Sequence, residues 1–198
     1  MCAKNLRTGS TGHNHMGVDR IRLSQVAFTN FVASAVEVYP KEAYGLLFGR
    51  KRRETIFCNA SIPLQTARRG LNLVRPSIQE DLVKRVSHLM GLRWLGVYHS
   101  HPKGTATPSD LDLHSWTDYP VEVILSLNQR HGVSSWKRNA RQESRWRIDE
   151  DRFAIVGSLR KTRKTGYEIE IRGFYKSDTE SQYRPLKMSC ENIRWNQR

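Results

Sequence analysis

The segment Tyr98–Asp112 has the sequence YHSHPKGTATPSDLD, and it is the most informative part of the chain. His99 and His101 are spaced i, i+2, so in extended backbone both imidazoles point to the same face. Asp112 follows after a loop that is long enough to fold back on them. Imidazole and carboxylate are good zinc ligands, and three protein ligands with one open position are typical of catalytic zinc. The spacing therefore predicts a metal site formed by these three residues.

A simpler interpretation of residues 108–112 is the start of a helix. Ser109 can occupy the N-cap, with Asp112 near the N3 position, as in a capping box. The two interpretations are compatible, because a cap can fix the turn that aims Asp112 at the histidines.

The flanking segments predict helices and strands in alternation. Ser24 is suited to cap a first helix, which Pro40 stops. Ser77 and Glu80 form a capping box for a second helix. Its predicted apolar face consists of Ile78, Leu82, Val83, Val86, Leu89 and Met90. Strands are predicted over 43–49, 55–62, 94–98, 121–127, 132–138, 152–159 and 167–176.

The composition indicates one basic domain. Of 198 residues, 33 are Lys or Arg and 19 are Asp or Glu, so the formal net charge is +14, which favours an acidic partner surface or nucleic acid. The three cysteines form no C-x-x-C pair, which predicts a reducing, cytoplasmic location. No apolar run approaches the roughly 20 residues that cross a membrane. We expect a disordered tail at 1–19, the domain at 20–178 and a weakly ordered tail at 179–198.

The motif His99-x-His101-Pro102, followed by Ser109-x-x-Asp112, resembles that of the JAMM (MPN+) zinc metalloproteases. Two upstream segments, EAYGLLFG at 42–49 and WLGVY at 94–98, strengthen the resemblance. It extends over roughly residues 20–128, the length of one domain. It implies a single JAMM/MPN-like α/β domain, similar to the cytidine deaminase fold, with a curved mixed sheet flanked by helices.

The resemblance also implies the roles of five residues. One zinc ion per chain would be held by His99, His101 and Asp112, with a water as the fourth ligand. Glu42 corresponds to the family's general base, and Ser109 to the hydroxyl that helps stabilise the oxyanion. The chemistry is sound for the base, because a carboxylate beside the metal can accept a proton from water and pass it to the leaving amine.

The implied activity is that of a zinc isopeptidase or peptidase acting after the C-terminal Gly-Gly tail of a ubiquitin-like protein. Only residues 113–120 separate Asp112 from the strand predicted at Val121, which leaves no room for the long insertion with which some relatives hold a second ubiquitin. We therefore expect a compact, prokaryotic-type enzyme. Its expected partners are a ubiquitin-like protein and activating or conjugating enzymes, as in antiphage operons.

A loop predicted at residues 63–76 lies where family members commonly hold the substrate tail. Its basic residues Arg68 and Arg69 are therefore candidate substrate-binding residues.

Two other functions stay open. The net charge, and a faint similarity of residues 101–112 to the RadC-like branch of the same superfamily, favour a nucleic-acid-associated protein. A non-catalytic interaction subunit is the other alternative, and the unbroken motif argues against it.

Overall fold

The computed structural model describes residues 17–64, 68–69, 74–75, 79–115, 119–131, 144–162, 165–176 and 183–191. The helices in these ranges are α1 (Gln25–Val38), α2 (Glu80–Leu89) and α3 (Asp110–Ser115). The strands are β1 (Arg20–Leu23), β2 (Tyr44–Arg52), β3 (Thr55–Pro63), β4 (Arg68–Arg69), β5 (Val74–Arg75), β6 (Arg93–Pro102), β7 (Val121–His131), β8 (Ser144–Asp149), β9 (Ala154–Arg160), β10 (Thr165–Tyr175) and β11 (Arg184–Cys190). None of these three helices, within the described ranges, is long and apolar enough to cross a membrane.

Nine strands form one mixed sheet in the order β11-β1-β3-β2-β6-β7-β10-β9-β8. Strand β10 also pairs with β11, so the strands from β11 to β10 close into a barrel-like ring. Along one edge of β10, residues 166–172 pair with β9 and residues 173–175 with β11. The predicted mixed sheet is confirmed, whereas its closure into a barrel-like ring was not predicted.

Helix α1 begins where the sequence predicts. The Ser24 hydroxyl accepts a hydrogen bond from the Ala27 amide at 3.1 Å, as an N-cap does. The Phe31 ring lies 5.6 Å from the ring of Tyr98, and the Phe28 ring lies 4.8 Å from that of Trp146. Burial of each such side chain contributes about 1.5–3 kcal/mol. Because Tyr98 directly precedes His99, this packing holds β6 in place next to the first histidine.

Strand β6 continues to Pro102, beyond the predicted end at 98, and runs parallel to β7. Gly96 allows the close approach of the two strands, since a Cβ at this position would overlap the carbonyl oxygen of Val121. The register pairs His99 with Ile124 and His101 with Ser126.

The C-terminal tail predicted at 179–198 is wrong for residues 184–190, which form β11. This strand pairs in parallel with β1 and antiparallel with β10, and Leu186 and Met188 are buried. Buried and exposed residues alternate along β11, but polar residues surround this short segment in the sequence. Its composition alone therefore suggested a weakly ordered tail. At the other end, Val18 is buried and the Asp19 amide donates to the Glu54 carbonyl at 2.9 Å. Residues 1–16 of the predicted tail lie outside the described residues.

The strand predicted at 132–138 also lies outside the described residues. Strand β8, which the sequence did not predict, brings Trp146 into the core.

The second helix differs from its prediction in both start and orientation. It begins at Glu80, its N-cap Gln79 makes no side-chain capping bond, and Ser77 lies outside the described residues. Most of its predicted apolar face is exposed, with exposed fractions of 55% for Leu82, 53% for Val86, 84% for Leu89 and 77% for Met90. Buried Glu80 instead accepts a hydrogen bond from the Tyr44 hydroxyl at 2.7 Å and pairs with Lys84 at 2.7 Å. A polar network therefore sets the orientation of α2.

Candidate metal centre

The two histidines of the motif meet at one point on β6. Both lie on the same face of the strand, and their Nε2 atoms are 2.9 Å apart. His99 is almost fully buried, with 1% of its surface exposed, and His101 is partly buried. Period-two alternation in the strand is sufficient to produce this convergence.

Asp112 reaches the histidines from α3 and is held by the cap of that helix. Its Oδ2 atom accepts from the Ser109 amide at 2.7 Å and from the Ser109 hydroxyl at 2.6 Å. The Asp112 amide in turn donates to the Ser109 hydroxyl oxygen at 3.2 Å. The carboxylate oxygens lie 3.4 Å from His99 Nε2 and 3.2 Å from His101 Nε2. Residues 109–112 thus form the cap of the helix and also place the Asp112 carboxylate beside the histidines.

The three side chains have the chemistry of a metal site. One ligand atom from each of His99, His101 and Asp112 lies within 4.8 Å of the others. Two imidazole nitrogens and one carboxylate oxygen are the donors found in catalytic sites that keep a fourth position open. The set therefore fits a zinc ion.

The tautomer of His101 agrees with this assignment. Its Nδ1 donates to the carbonyl oxygen of Thr105 at 2.8 Å, which leaves Nε2 of the neutral ring unprotonated and able to bind a metal. The loop that presents Thr105 is itself tied to β7, because the side-chain amide of Asn128 donates to the Gly104 carbonyl at 3.1 Å.

The electrostatics keep Asp112 ionised. Burial opposes ionisation, but the neighbouring His101 and His99 side chains and the hydrogen bond from Ser109 outweigh it and hold the Asp112 pKa well below its usual range. Burial also disfavours the charged form of His101, yet Asp112 and the Thr105 carbonyl outweigh it and raise the His101 pKa. Protonation of His101 in the metal-free protein therefore opposes the binding of a metal ion to this ring.

Glu42 lies next to this cluster, at the junction between α1 and β2. The Ala43 amide donates to the Ser100 hydroxyl oxygen at 2.8 Å, and the Ser100 amide donates to the Ala43 carbonyl at 3.0 Å. Glu42 is only 5% exposed, and its electrostatic neighbours are His99, His101 and Asp112. Burial raises its pKa. Ser100, between the two histidines, therefore ties Ala43, the residue after Glu42, to β6.

The other predicted site residues are placed less fully. The Ser109 hydroxyl is committed to Asp112, and its role at an oxyanion stays a prediction. Arg68 and Arg69 form β4, which pairs with β5. Their side chains lie outside the described part of the chain, so their role in substrate binding stays a prediction.

Sequence reasoning missed one buried acid beside the metal centre. Glu122 on β7 is fully buried, and its Oε1 lies 3.4 Å from His99 Nδ1. Burial raises its pKa. The sequence does contain a signal for it, a single charged residue inside the apolar segment VEVILSL at 121–127. Glu is rarely buried without a partner, so a Glu in a buried strand indicates a polar group nearby.

Comparisons with known proteins give a family and a fold. The sequence profile of prokaryotic homologs of the JAB domain matches residues 24–139, more than half of the chain. A solution structure of the protein DSY2949 from Desulfitobacterium hafniense is similar, with a TM-score of 0.55, 18% identity and coverage of 86% of this chain and 92% of that chain. A crystal structure of AF2198, a JAB1/MPN domain protein from Archaeoglobus fulgidus, matches with a TM-score of 0.34 and 19% identity, covering 54% of this chain and 77% of that chain. No curated protein sequence matches the chain.

Proposed function

Since the chain belongs to the family of prokaryotic homologs of the JAB domain, we propose that it is a zinc-dependent isopeptidase or peptidase. Its substrate in this proposal is the amide bond after the C-terminal Gly-Gly tail of a ubiquitin-like protein, in a conjugate or in a precursor. The observation that carries the proposal is the convergence of His99, His101 and Asp112 within 4.8 Å, beside the buried Glu42.

The proposed chemistry divides between the metal and the protein. His99, His101 and Asp112 would hold a zinc ion, which would supply Lewis acidity to polarise a carbonyl and lower the pKa of a water molecule to about 7. Glu42 accepts the proton of the attacking water and delivers it to the leaving amine. Ser109 orients Asp112 through the bonds described above, and its hydroxyl would have to turn from Asp112 to reach an oxyanion.

The depth of the site supports a flexible tail as substrate. His99, Glu42 and Asp112 are 1%, 5% and 7% exposed. A folded protein surface cannot reach side chains this deep, whereas an extended chain of small residues can. Glycine suits such a tail because it has no side chain to collide with the walls.

The position of α2 supports a macromolecular substrate. Its exposed apolar side chains form a face of the kind that commonly contacts other proteins. The first turn of α2 contacts β2, which pairs with the strand that carries both histidines. Glu80 accepts a hydrogen bond from the Tyr44 hydroxyl, and Tyr44 on β2 is the strand partner of His99 on β6. A protein that docks on α2 could therefore place its tail near the metal centre.

The proposal is tested with fusions in which a ubiquitin-like domain ending in Gly-Gly is followed by a reporter protein. Mass spectrometry of the products should show one cut after the second glycine. Chelation should abolish cleavage and zinc should restore it, and a fusion with Val-Val at the junction should stay intact. Undiminished cleavage by metal-free protein would contradict the zinc mechanism.

Two other results would redirect the assignment. Stoichiometric zinc without cleavage of any Gly-Gly fusion would favour a non-catalytic interaction subunit. Tight, salt-sensitive DNA binding without cleavage would favour the nucleic-acid alternative, because phosphate contacts make affinity depend on salt.

A further inference from the structure

Glu122 is a carboxylate in an environment that disfavours charge. Val121, Val123 and Leu125 on β7 pack into the main core, so Glu122 points to the opposite face, the face of the metal centre. It is 0% exposed. Neither carboxylate oxygen has a hydrogen-bond partner among the residues that the structure describes, and Oε1 makes a 3.4 Å contact with His99 Nδ1. Burial of a carboxylate with so little compensation lowers stability, so its presence needs a reason other than stability.

The strand register explains why Glu122 faces His99. In the parallel pair of β6 and β7, Val97 lies opposite Glu122 and His99 lies opposite Ile124. Glu122 is therefore the diagonal neighbour of His99 on the same face. Its Oε1 lies 3.4 Å from His99 Nδ1, while His99 Nε2 lies on the other side of the ring, toward Asp112.

The two histidines are thereby arranged alike. His101 donates from Nδ1 to the Thr105 carbonyl and presents Nε2 to the ligand cluster. His99 also presents Nε2 to the cluster and turns Nδ1 toward an acceptor, here the carboxylate of Glu122. A metal-binding imidazole whose other nitrogen donates to a carboxylate is held in one tautomer and one ring orientation, and is a stronger ligand.

We propose that Glu122 is a positioning residue, which holds His99 in the tautomer with Nδ1 protonated and Nε2 free to bind the metal. This inference rests on the metal site of the proposed function. It assigns no contact with substrate to Glu122. Loss of such a carboxylate lowers metal affinity by about 10–100-fold.

The test uses two substitutions and one matched control. Glu122→Gln keeps an acceptor for the Nδ1 proton but removes the charge, and Glu122→Leu removes both. Glu80→Gln is the control, because Glu80 is also a buried acid but its side chain bonds to Tyr44, Tyr119 and Lys84, which are not ligands. Zinc affinity is measured by competition with a chelator. The tautomer of His99 is read from the ring nitrogens by NMR of metal-free protein, and melting temperature is measured on the same samples.

The expected pattern separates positioning from structural support. Zinc affinity should fall by about 10–100-fold in the Leu variant and by less in the Gln variant, while Glu80→Gln keeps wild-type affinity. The Leu variant should lose the preference for protonated Nδ1 in His99. Its metal-free form should melt no lower than the wild type, whereas Glu80→Gln should melt lower.

Three results would overturn the proposal in distinguishable ways. Wild-type zinc affinity and tautomer in the Leu variant would remove Glu122 from the positioning role. A loss of zinc affinity that only parallels a fall in melting temperature would make Glu122 a structural residue. Absence of zinc binding by the wild-type protein would overturn the metal site itself, and the Glu122 proposal with it.

Discussion

Replacement of Glu42 by glutamine tests the proposed proton transfer most directly. Glutamine keeps the size of the side chain and most of its hydrogen-bonding capacity, but it cannot accept a proton. The hydrogen bonds between Ala43 and Ser100 involve neighbouring residues and stay in place. Because Glu42 is buried and burial raises its pKa, loss of its charge should not destabilise the fold.

The expected fall in kcat follows from the role of Glu42 as general base. Loss of general acid–base catalysis lowers kcat by about 10²–10⁴-fold, which corresponds to roughly 3–5.5 kcal/mol of barrier at about 1.36 kcal/mol per decade. KM should change far less, because binding of the tail does not use this carboxylate. Zinc content and melting temperature should stay near those of the wild type, since Glu42 is not one of the three ligands.

The assay is the initial rate of cleavage of a Gly-Gly fusion, with zinc measured on the same samples. Glu37→Gln is the matched control, because Glu37 is exposed on α1 and its replacement removes the same charge from nearby sequence. Full activity of the Glu42→Gln protein would refute the mechanism. Loss of zinc together with activity would make Glu42 a ligand or a support for the ligands.

Four further results are expected. Protein purified without added metal should contain near-stoichiometric zinc by elemental analysis and the Asp112→Ala variant much less; equal zinc in both would remove Asp112 from the site. The His101 pKa is raised in the metal-free protein, so protonated His101 stabilises that form. This stabilisation is complete below the ordinary histidine pKa of about 6.5 and is lost as pH rises through the raised pKa of His101. The gain in melting temperature on zinc binding should therefore widen from about pH 5.5 to 8, and a constant gain would contradict this. Charge reversal of Arg68 and Arg69 should raise KM at low salt more than it lowers kcat; an unchanged KM would leave both arginines outside the substrate site. Glu80→Gln should lower the free energy of unfolding by about 1–3 kcal/mol through weakened buried hydrogen bonds, and an unchanged denaturation midpoint would show that the network around α2 contributes little.

Local sequence was sufficient where one element determines the geometry. Alternation along β6 brings His99 and His101 to one face, and the cap formed by Ser109 aims Asp112, so both features follow from neighbours in the chain. The start of α1 at Ser24 is equally local. These features depend on backbone dihedrals and on hydrogen bonds within a few residues, which the sequence specifies directly.

The position of Glu42 is a different case. It lies 57 residues before His99, and without the family resemblance it would have been an ordinary surface acid. The structure buries it beside His99 through the pairing of β2 with β6. Motif resemblance therefore supplied what spacing along the chain could not.

Only the tertiary structure decided the remaining features. Closure of the sheet depends on β10 pairing with β11, a strand whose composition suggested a tail. Most apolar residues of α2 face outward, while its buried Glu80 is bound to Tyr44, a contact across 36 positions. The contact of Glu122 with His99 depends on the register of two parallel strands. Each of these outcomes joins residues far apart in the chain, and the free energy that selects among such pairings comes from the packing of the whole domain.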